Sequence, residues 1–289
     1  MTDTTRRTVL GGIATGTALL VGGAGAVTAD EGTERGGDEA GLRIAHASPD
    51  APAVDVLVDG AVAVEGLEFR QVTDYLELPA GEYEVAVNVS GTDTTVFGPA
   101  EVDLAAEDYT AVALGEVSDD DTEFTVSVLA DTNGANLDDD EARVRAVHAS
   151  PDAPAVDVTV NDGVLTLFDG VAFGDSSGYA VVPAGEYDVE IRPDTADDDG
   201  DVVFEAEDVE LAGRSTYTVF ALGYLTAEDE PAAEPFGLLP TLDAGAPPRG
   251  DDDDEADGGD DGADEVERGP PEDVPGRGRG RDDGEESDD

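Results

Sequence analysis

The feature that most constrains this chain is an internal repeat. HASPDAPAVDV stands at residues 46–56 and again, letter for letter, at residues 148–158, and the likeness spreads to both sides of it. LRIAHASPDAPAVDVLVDG, TDYLELPAGEYEVAVNV and EVDLAAEDYTAVALGEV in the first copy answer VRAVHASPDAPAVDVTVNDG, SGYAVVPAGEYDVEIRP and DVELAGRSTYTVFALGYL in the second, at an offset of 102 to 108 residues. A period of that length is a whole domain rather than the unit of a solenoid. The sequence therefore predicts two modules, residues 42–137 and 143–242, joined by a linker at 138–142.

Within each copy the chain breaks into short runs rich in Val, Tyr, Phe and Thr that alternate apolar with polar residues. Val54, Val56 and Val58 fall on one face and Asp55, Leu57 and Asp59 on the other; Tyr83, Val85, Val87 and Val89 alternate with Glu84, Ala86 and Asn88. That is the pattern of half-buried strands. Turn signals separate them, at Val58-Asp59-Gly60, Pro79-Ala80-Gly81, Asn161-Asp162-Gly163 and Pro183-Ala184-Gly185. Seven or eight strands per hundred residues point to an all-β fold, two tandem antiparallel β-sandwiches. The Pro-Ala-Gly turns predict hairpins in which Gly takes a positive-φ corner and Tyr83 or Tyr187 turns inward, its hydroxyl bonding back to the corner.

Charge bounds the solvent and the partners. Seventy-one acidic residues stand against fourteen basic ones, a net charge of -57, and every base is arginine, since the chain has no lysine. Such self-repulsion excludes nucleic acid and anionic membranes as partners and opposes compaction at ordinary ionic strength. Molar salt shortens the Debye length to ~3 Å and removes most of that penalty, so the composition predicts a protein of a salt-accumulating, halophilic archaeon. The N-terminus predicts where it goes: Arg6 and Arg7 precede a stretch uncharged from Thr8 to Ala29, rich in Gly and Ala. This is the pattern of a twin-arginine export signal over residues 1–29, followed by a linker at 30–41. Its apolar part is only weakly hydrophobic, which suits a cleavable signal better than a stable membrane span, and no stable span is expected after its removal. No cysteine is present, so neither disulfides nor a lipid anchor on cysteine follow. Residues 243–289 are expected to form a disordered acidic tail; from Arg249 to Asp289 nineteen acids meet five arginines, with Val266 and Val274 the only large apolar residues.

The combined pattern, R-x-x-H-A-S-P-D-A-P-A-V-D-V, then P-A-G-x-Y, then Y-T-x-x-A-L-G, resembles the family known as domain of unknown function 4397, and covers nearly the whole folded part twice. The Pro-x-Gly-x-Tyr turn is also similar to that of prealbumin-like and immunoglobulin-like sandwiches. The resemblance implies a secreted or cell-surface β module of exported bacterial and archaeal proteins; it implies no activity, substrate or catalytic residue.

The only two histidines, His46 and His148, sit in the repeated motif. A Ser/His/Asp relay through Ser48 and Asp50 is disfavoured, because side chains two apart on a strand stand about 6.5 Å apart and Pro49 ends the strand. Two readings stay open. His46, Asp50 and Asp55, with His148, Asp152 and Asp157 in the second copy, would form a divalent-ion or ligand site if the loop folds back over the strand ends. Alternatively the motif is structural: Ser48 caps a turn, Asp50 accepts backbone amides, and His46 is a core histidine hydrogen-bonded to the loop. The run Asp197, Asp199, Gly200 imitates a calcium loop but has Thr195 first and Ala206 twelfth, so it reads as a turn. Asn88-Val89-Ser90 is a glycosylation sequon. The sequence thus predicts no enzyme and no cofactor beyond an optional divalent ion. It predicts an exported, non-catalytic binding or scaffolding protein of the cell surface or medium, its partner and oligomeric state unspecified. The alternatives are an ion-dependent ligand-binding protein and, further off, a carboxylate-based hydrolase.

The charge argument is tested by melting the protein across salt concentrations. The melting temperature is expected to fall as salt is diluted below about 0.3 M, where the screening length approaches the spacing of surface carboxylates; a melting temperature indifferent to salt would contradict it.

Overall fold

Alternation becomes sixteen strands among the described residues, eight in each repeat. The computed structural model describes residues 38–118, 122–133, 135–196, 200–228 and 230–246. The expected signal with Arg6 and Arg7, the calcium-like Asp197 to Asp199 and the acidic tail beyond Ala246 lie outside them. The first repeat comprises β1 (Glu39–His46), β2 (Val54–Val58), β3 (Ala61–Leu67), β4 (Leu76–Pro79), β5 (Gly81–Val89), β6 (Thr95–Leu104), β7 (Asp108–Leu114) and β8 (Thr125–Asp131). The second comprises β9 (Glu141–Ala149), β10 (Val156–Val160), β11 (Leu165–Val171), β12 (Ala180–Pro183), β13 (Gly185–Pro193), β14 (Phe204–Leu211), β15 (Ser215–Leu222) and β16 (Gly237–Ala244). Strands thus open at Glu39 and Glu141, inside the stretches expected to be linkers, and β16 takes in Asp243, where the tail was expected to begin.

Each repeat is a sandwich of two four-stranded sheets. In the first, β4-β1-β7-β8 packs on β3-β2-β5-β6; in the second, β12-β9-β15-β16 packs on β11-β10-β13-β14. Neighbouring strands run antiparallel with one exception per repeat, the parallel pairs β1/β7 and β9/β15. Leu42, Ile44, Val54, Val56, Tyr83, Val85, Val87, Ala111 and Ala113 fill the first sandwich.

The Pro-Ala-Gly segments are not the hairpins that the sequence suggested. β4 pairs with β1 and β5 with β2, so the chain leaves one sheet at Pro79 and enters the other at Gly81. Gly81 stays nearly extended (φ 159°), as suits a strand that bends from one layer to the next instead of folding back. The tyrosines act as expected: Tyr83 Oη donates to the Pro79 carbonyl (2.5 Å) and Tyr187 Oη to that of Pro183 (2.6 Å), pinning each corner. The two-residue hairpin lies at Asp59-Gly60, with φ of 50° and 75° linking β2 to β3, the left-handed pair a type I′ turn requires.

β1 is buried along almost its whole length, its burial covering both faces. One face, Leu42 and Ile44, meets the sandwich core. The other carries Arg43, Ala45 and, just past the strand, Ala47. Ala45 and Ala47 share a buried cluster with Val112 and Leu114 and with Val147, Ala149, Phe220 and Leu222 of the second repeat. The sheets containing β1 and β9 therefore pack on each other, and four layers stand in the order outer, inner, inner, outer.

Two arginines cross that inner interface reciprocally. Arg43 Nε donates to Thr110 Oγ1 (3.0 Å), Nη1 to the Leu242 carbonyl (3.2 Å) and Nη2 to Asp243 Oδ1 (2.6 Å). Arg145 repeats this with Thr218 Oγ1 (2.8 Å), the Ala130 carbonyl (3.0 Å) and Asp131 Oδ1. Each threonine hydroxyl in turn donates a hydrogen bond to the aspartate of its own repeat, Thr110 to Asp131 (2.6 Å) and Thr218 to Asp243 (2.7 Å), which closes a ring through both repeats. Tyr75 and Tyr179 donate to the same aspartates and lie beneath the guanidinium groups, 4.9 and 4.8 Å from ring centre to Cζ. Burial, and then the neighbouring carboxylate, raises both phenols above their ordinary range, so they remain donors. Burial works against the Arg43 charge, but the Asp243 and then the Asp131 carboxylate outweigh it and hold the group protonated.

An ion pair at 2% exposure on one side and 0% on the other is costly to break from one end, because the remaining charge keeps its desolvation cost. Arg43→Leu is expected to lose about 3–5 kcal/mol of stability in urea unfolding, by the same amount at about 1 M and 3 M salt, since ions do not reach the pair. A loss below about 1 kcal/mol would show that the pair is not the lock described.

Candidate functional site: the HASPDAP corner and the loop it holds

β1 and β9 each run into the motif at a buried histidine. His46 and His148 are 1% exposed and stand edge-on to Phe69 and Phe173, at 6.4 and 6.2 Å between ring centres. Nε2 of His46 lies 3.2 Å from the Pro52 carbonyl, and that of His148 2.9 Å from the Pro154 carbonyl. A carbonyl only accepts, so Nε2 carries the proton and Nδ1 is bare. In the second copy Nδ1 accepts from the Ser150 amide (3.3 Å), whereas Nδ1 of His46 is buried without a partner among the described residues. Burial lowers both histidine pKa values below the ordinary 6.5, against the opposing pull of the Pro52 and Pro154 carbonyls.

The other polar groups of the motif bind backbone. Ser48 Oγ donates to the Gly115 carbonyl and Ser150 Oγ to that of Gly223, both at 2.6 Å. Asp50 accepts from the amides of Val117 and Ser118 (2.9 Å each) and the Ser118 hydroxyl (2.6 Å). Asp152 accepts from the amides of Leu225 (2.9 Å) and Thr226 (2.8 Å) and the Thr226 hydroxyl (2.9 Å). Each motif therefore grips the loop after the strand paired in parallel with its own, β7 or β15. At the head of that loop Gly115 and Gly223 take φ of 88° and 85°; a Cβ there would strike the backbone of Thr122 and Glu123 or of Pro235. The residues directly after these glycines meet across the interface, where Tyr224 Oη donates to Glu116 Oε1 (2.7 Å).

The two expected ligand sets are not brought together. Asp55, at the start of β2, accepts from the amides of Gly66 (2.8 Å) and Gly91 (3.0 Å), and Asp157 from those of Gly170 (2.9 Å) and Thr195 (3.2 Å). These tie strand ends within the outer sheets, while Asp50 and Asp152 face the interface loops. Among the described residues neither histidine belongs to a group of three potential ligands within 4.8 Å of one another; the group that does form is Asp157, Asp169 and Asp194. The corresponding place in the first repeat holds Asp55 with Ser90. Asn88 sits one residue from the end of β5 with its Oδ1 buried and, among the described residues, unbonded.

Sequence reasoning missed the interface set, Arg43, Arg145, Asp131, Asp243, Glu116 and Tyr224. A signal was present: arginine, scarce in this chain, stands three residues before the motif histidine in both copies, flanked by apolar residues, and each repeat's last strand carries an Asp at or near its end. The second sandwich also encloses an apolar cavity of about 50 Å³, against about 20 Å³ in the first. Val144, Ala146, Val171 and Val182 line it; at their equivalents the first repeat has the larger Leu42, Ile44, Leu67 and Leu78.

The histidine burial has a pH consequence. Because the folded pKa values are lowered, the unfolded chain takes up protons that the fold refuses. Their contribution to stability is complete above 6.5 and is lost as pH falls from there toward the folded values. His46→Gln with His148→Gln keeps an N–H donor and removes the titration, so the variant's melting temperature relative to the native chain is expected to rise steadily from about pH 7.5 to 5. Parallel curves would contradict neutral, buried imidazoles.

No curated protein matches the chain. Among solved structures it is similar to a family 26 carbohydrate-binding module from Eubacterium rectale in complex with maltoheptaose, at 10% identity, TM-score 0.21, over 72% of this chain and 98% of that one. It is also similar to a leucine-rich repeat protein of Bacteroides thetaiotaomicron, at 12% identity, TM-score 0.18, over 65% of this chain and 26% of that one. Scores of this size do not establish common ancestry or function, and the architecture rests on this chain's own strand pairing. The family described as Domain of unknown function (DUF4397) matches residues 40–159 and again 142–251, and the chain belongs to that family, as two copies in tandem.

Proposed function

We propose that this is an exported, non-catalytic binding or scaffolding protein of a halophilic archaeon, two family modules fused back to back. The observation that carries the reading is the use made of the repeated motif. Its imidazole Nε2, hydroxyl and first carboxylate hold backbone groups in both copies, work that shapes a module, with the motif serines donating to the Gly115 and Gly223 carbonyls instead of to an imidazole.

The outer sheets support the choice of medium. Acidic residues stand directly opposite each other across β5/β6, at Glu82/Asp103 and Glu84/Glu101, and across β13/β14, at Glu186/Glu210 and Glu190/Glu205. Like charges in cross-strand positions are destabilising unless screened or neutralised, and concentrated salt screens them. Glu190 shows the exception: burial would raise its pKa, but Thr159, Arg192 and Gly163 bring it below the usual carboxylate range. The outer sheets are the surfaces that the inner interface leaves free to meet a partner.

Export and inertness are tested together. The native full chain is expected outside the cell, on the surface or in the medium, and a chain carrying Arg6→Lys and Arg7→Lys inside it. Native protein retained in the cytoplasm would overturn export, and turnover of a glycan, ester or peptide substrate by the purified protein in molar salt would overturn the non-catalytic reading.

A further inference from the structure

The inner interface is reciprocal: Arg43 reaches Asp243 and the Leu242 carbonyl, and the equivalent Arg145 reaches Asp131 and the Ala130 carbonyl. Each repeat presents the same patch to the other, as two subunits do about a two-fold axis. In such an arrangement a residue that touches its own equivalent lies on the axis. Glu116 and Tyr224 are equivalents, each placed directly after the glycine whose carbonyl accepts from the motif serine, and they touch at 2.7 Å. The reciprocal part of the interface would serve two identical repeats equally well. The axis would not.

We propose that the inner-sheet face of each repeat recognises a repeat of the opposite type and rejects its own, with Glu116 against Tyr224 as the specificity-determining pair. Both are buried, at 7% and 1% exposure. The Glu116 carboxylate accepts hydrogen bonds from two hydroxyls, Tyr224 on one oxygen and Thr122 on the other. Two first repeats placed face to face would set two Glu116 carboxylates together in that dry space, with no hydroxyl from a partner, a costly burial of like charge. Two second repeats would set Tyr224 against Tyr224 with no carboxylate to accept from either. Shape acts in the same direction. Val112 and Phe220 hold equivalent places in β7 and β15, share one buried cluster, and are both 0% exposed. A valine pair there would leave a void and a phenylalanine pair would overfill.

A third difference lies at the rim. The turn after β3 places Arg70, whose amide donates to the His46 carbonyl, so that its guanidinium donates to the Pro235 carbonyl across the interface. The second repeat has Gly174 at that place, its amide donating to the His148 carbonyl, and so offers no such arm. The tandem chain therefore satisfies its own faces internally. A chain whose interface opened would be completed by the complementary repeats of a second chain, giving a closed exchanged pair and not a filament.

The experiment cuts the connection and asks what pairs with what. A protease site is placed at Ala135-Asn136, between β8 and β9, in the full chain, which is cleaved after folding in molar salt and followed by chromatography with light scattering. One complex containing both halves in equal amounts is expected. Complexes of either half with itself, or separation into single halves, would overturn the proposal. In the same nicked protein Tyr224→Glu is expected to weaken the pairing of the halves by about tenfold or more, and Tyr224→Phe by clearly less, since it loses a bond without adding a charge. Equal effects of the two variants would remove Glu116 and Tyr224 from the recognition. Should Tyr224→Glu fail to fold, the pairing of the unsubstituted halves decides the matter alone.

Discussion

Two guanidinium groups held in a dry interface set the terms for the rest of this molecule. Removing an ion from water costs several kcal/mol even after the protein relaxes, so Arg43 and Arg145 are tolerable at the centre of the chain only while their donors find acceptors. The ring of Thr110, Asp131, Arg145, Thr218, Asp243 and Arg43 provides this, and provides it only when both repeats are present in register. A pure apolar interface would tolerate sliding; this one fixes which residues oppose which. The apolar cluster around Val112, Phe220 and Leu222 supplies area, and the ionic ring supplies the alignment.

The repeated motif gains its meaning from that interface. HASPDAP lies at the end of the strand that carries the arginine, and its Ser and first Asp reach across to the loop beyond the parallel partner strand. That loop delivers Glu116 or Tyr224 to the place where the repeats meet. The parallel pairs β1/β7 and β9/β15 explain why a local motif can do this: parallel neighbours end on the same side of the sheet, so the exit of one strand lies beside the exit of the other. The identity of the two copies thus reflects two loops needing the same support, while the difference that matters sits between the residues the motif grips, at 116 and 224.

Much of the fold was legible. The repeat, the number of strands, their inward faces and the tyrosine-to-corner bonds stem from period-two alternation and turn residues, which act over a few residues. What misled was the Pro-Ala-Gly corner, because a chain that bends between sheets and one that folds back in a hairpin use the same punctuation; only the partner of β4, which is β1, separates them. The site was less legible. His46, Asp50 and Asp55 lie close in sequence but serve a core contact, an interface loop and an outer-sheet anchor, because a strand passes alternate residues to opposite faces and a turn sends the next strand in a new direction.

By itself the sequence determined two copies of an all-β module, the burial of their alternate apolar residues, and a chain so acidic that its carboxylates repel one another unless salt screens them. It could not determine that the copies pack on each other. An arginine on the second face of a strand reads as solvent-facing until another sheet covers it, and nothing local in LRIAH or VRAVH says what lies opposite. Only the tertiary structure decided that, since the partners of Arg43 across the interface lie 199 and 200 residues away, beyond the reach of any pattern of neighbours, and are assembled by the packing of two sheets.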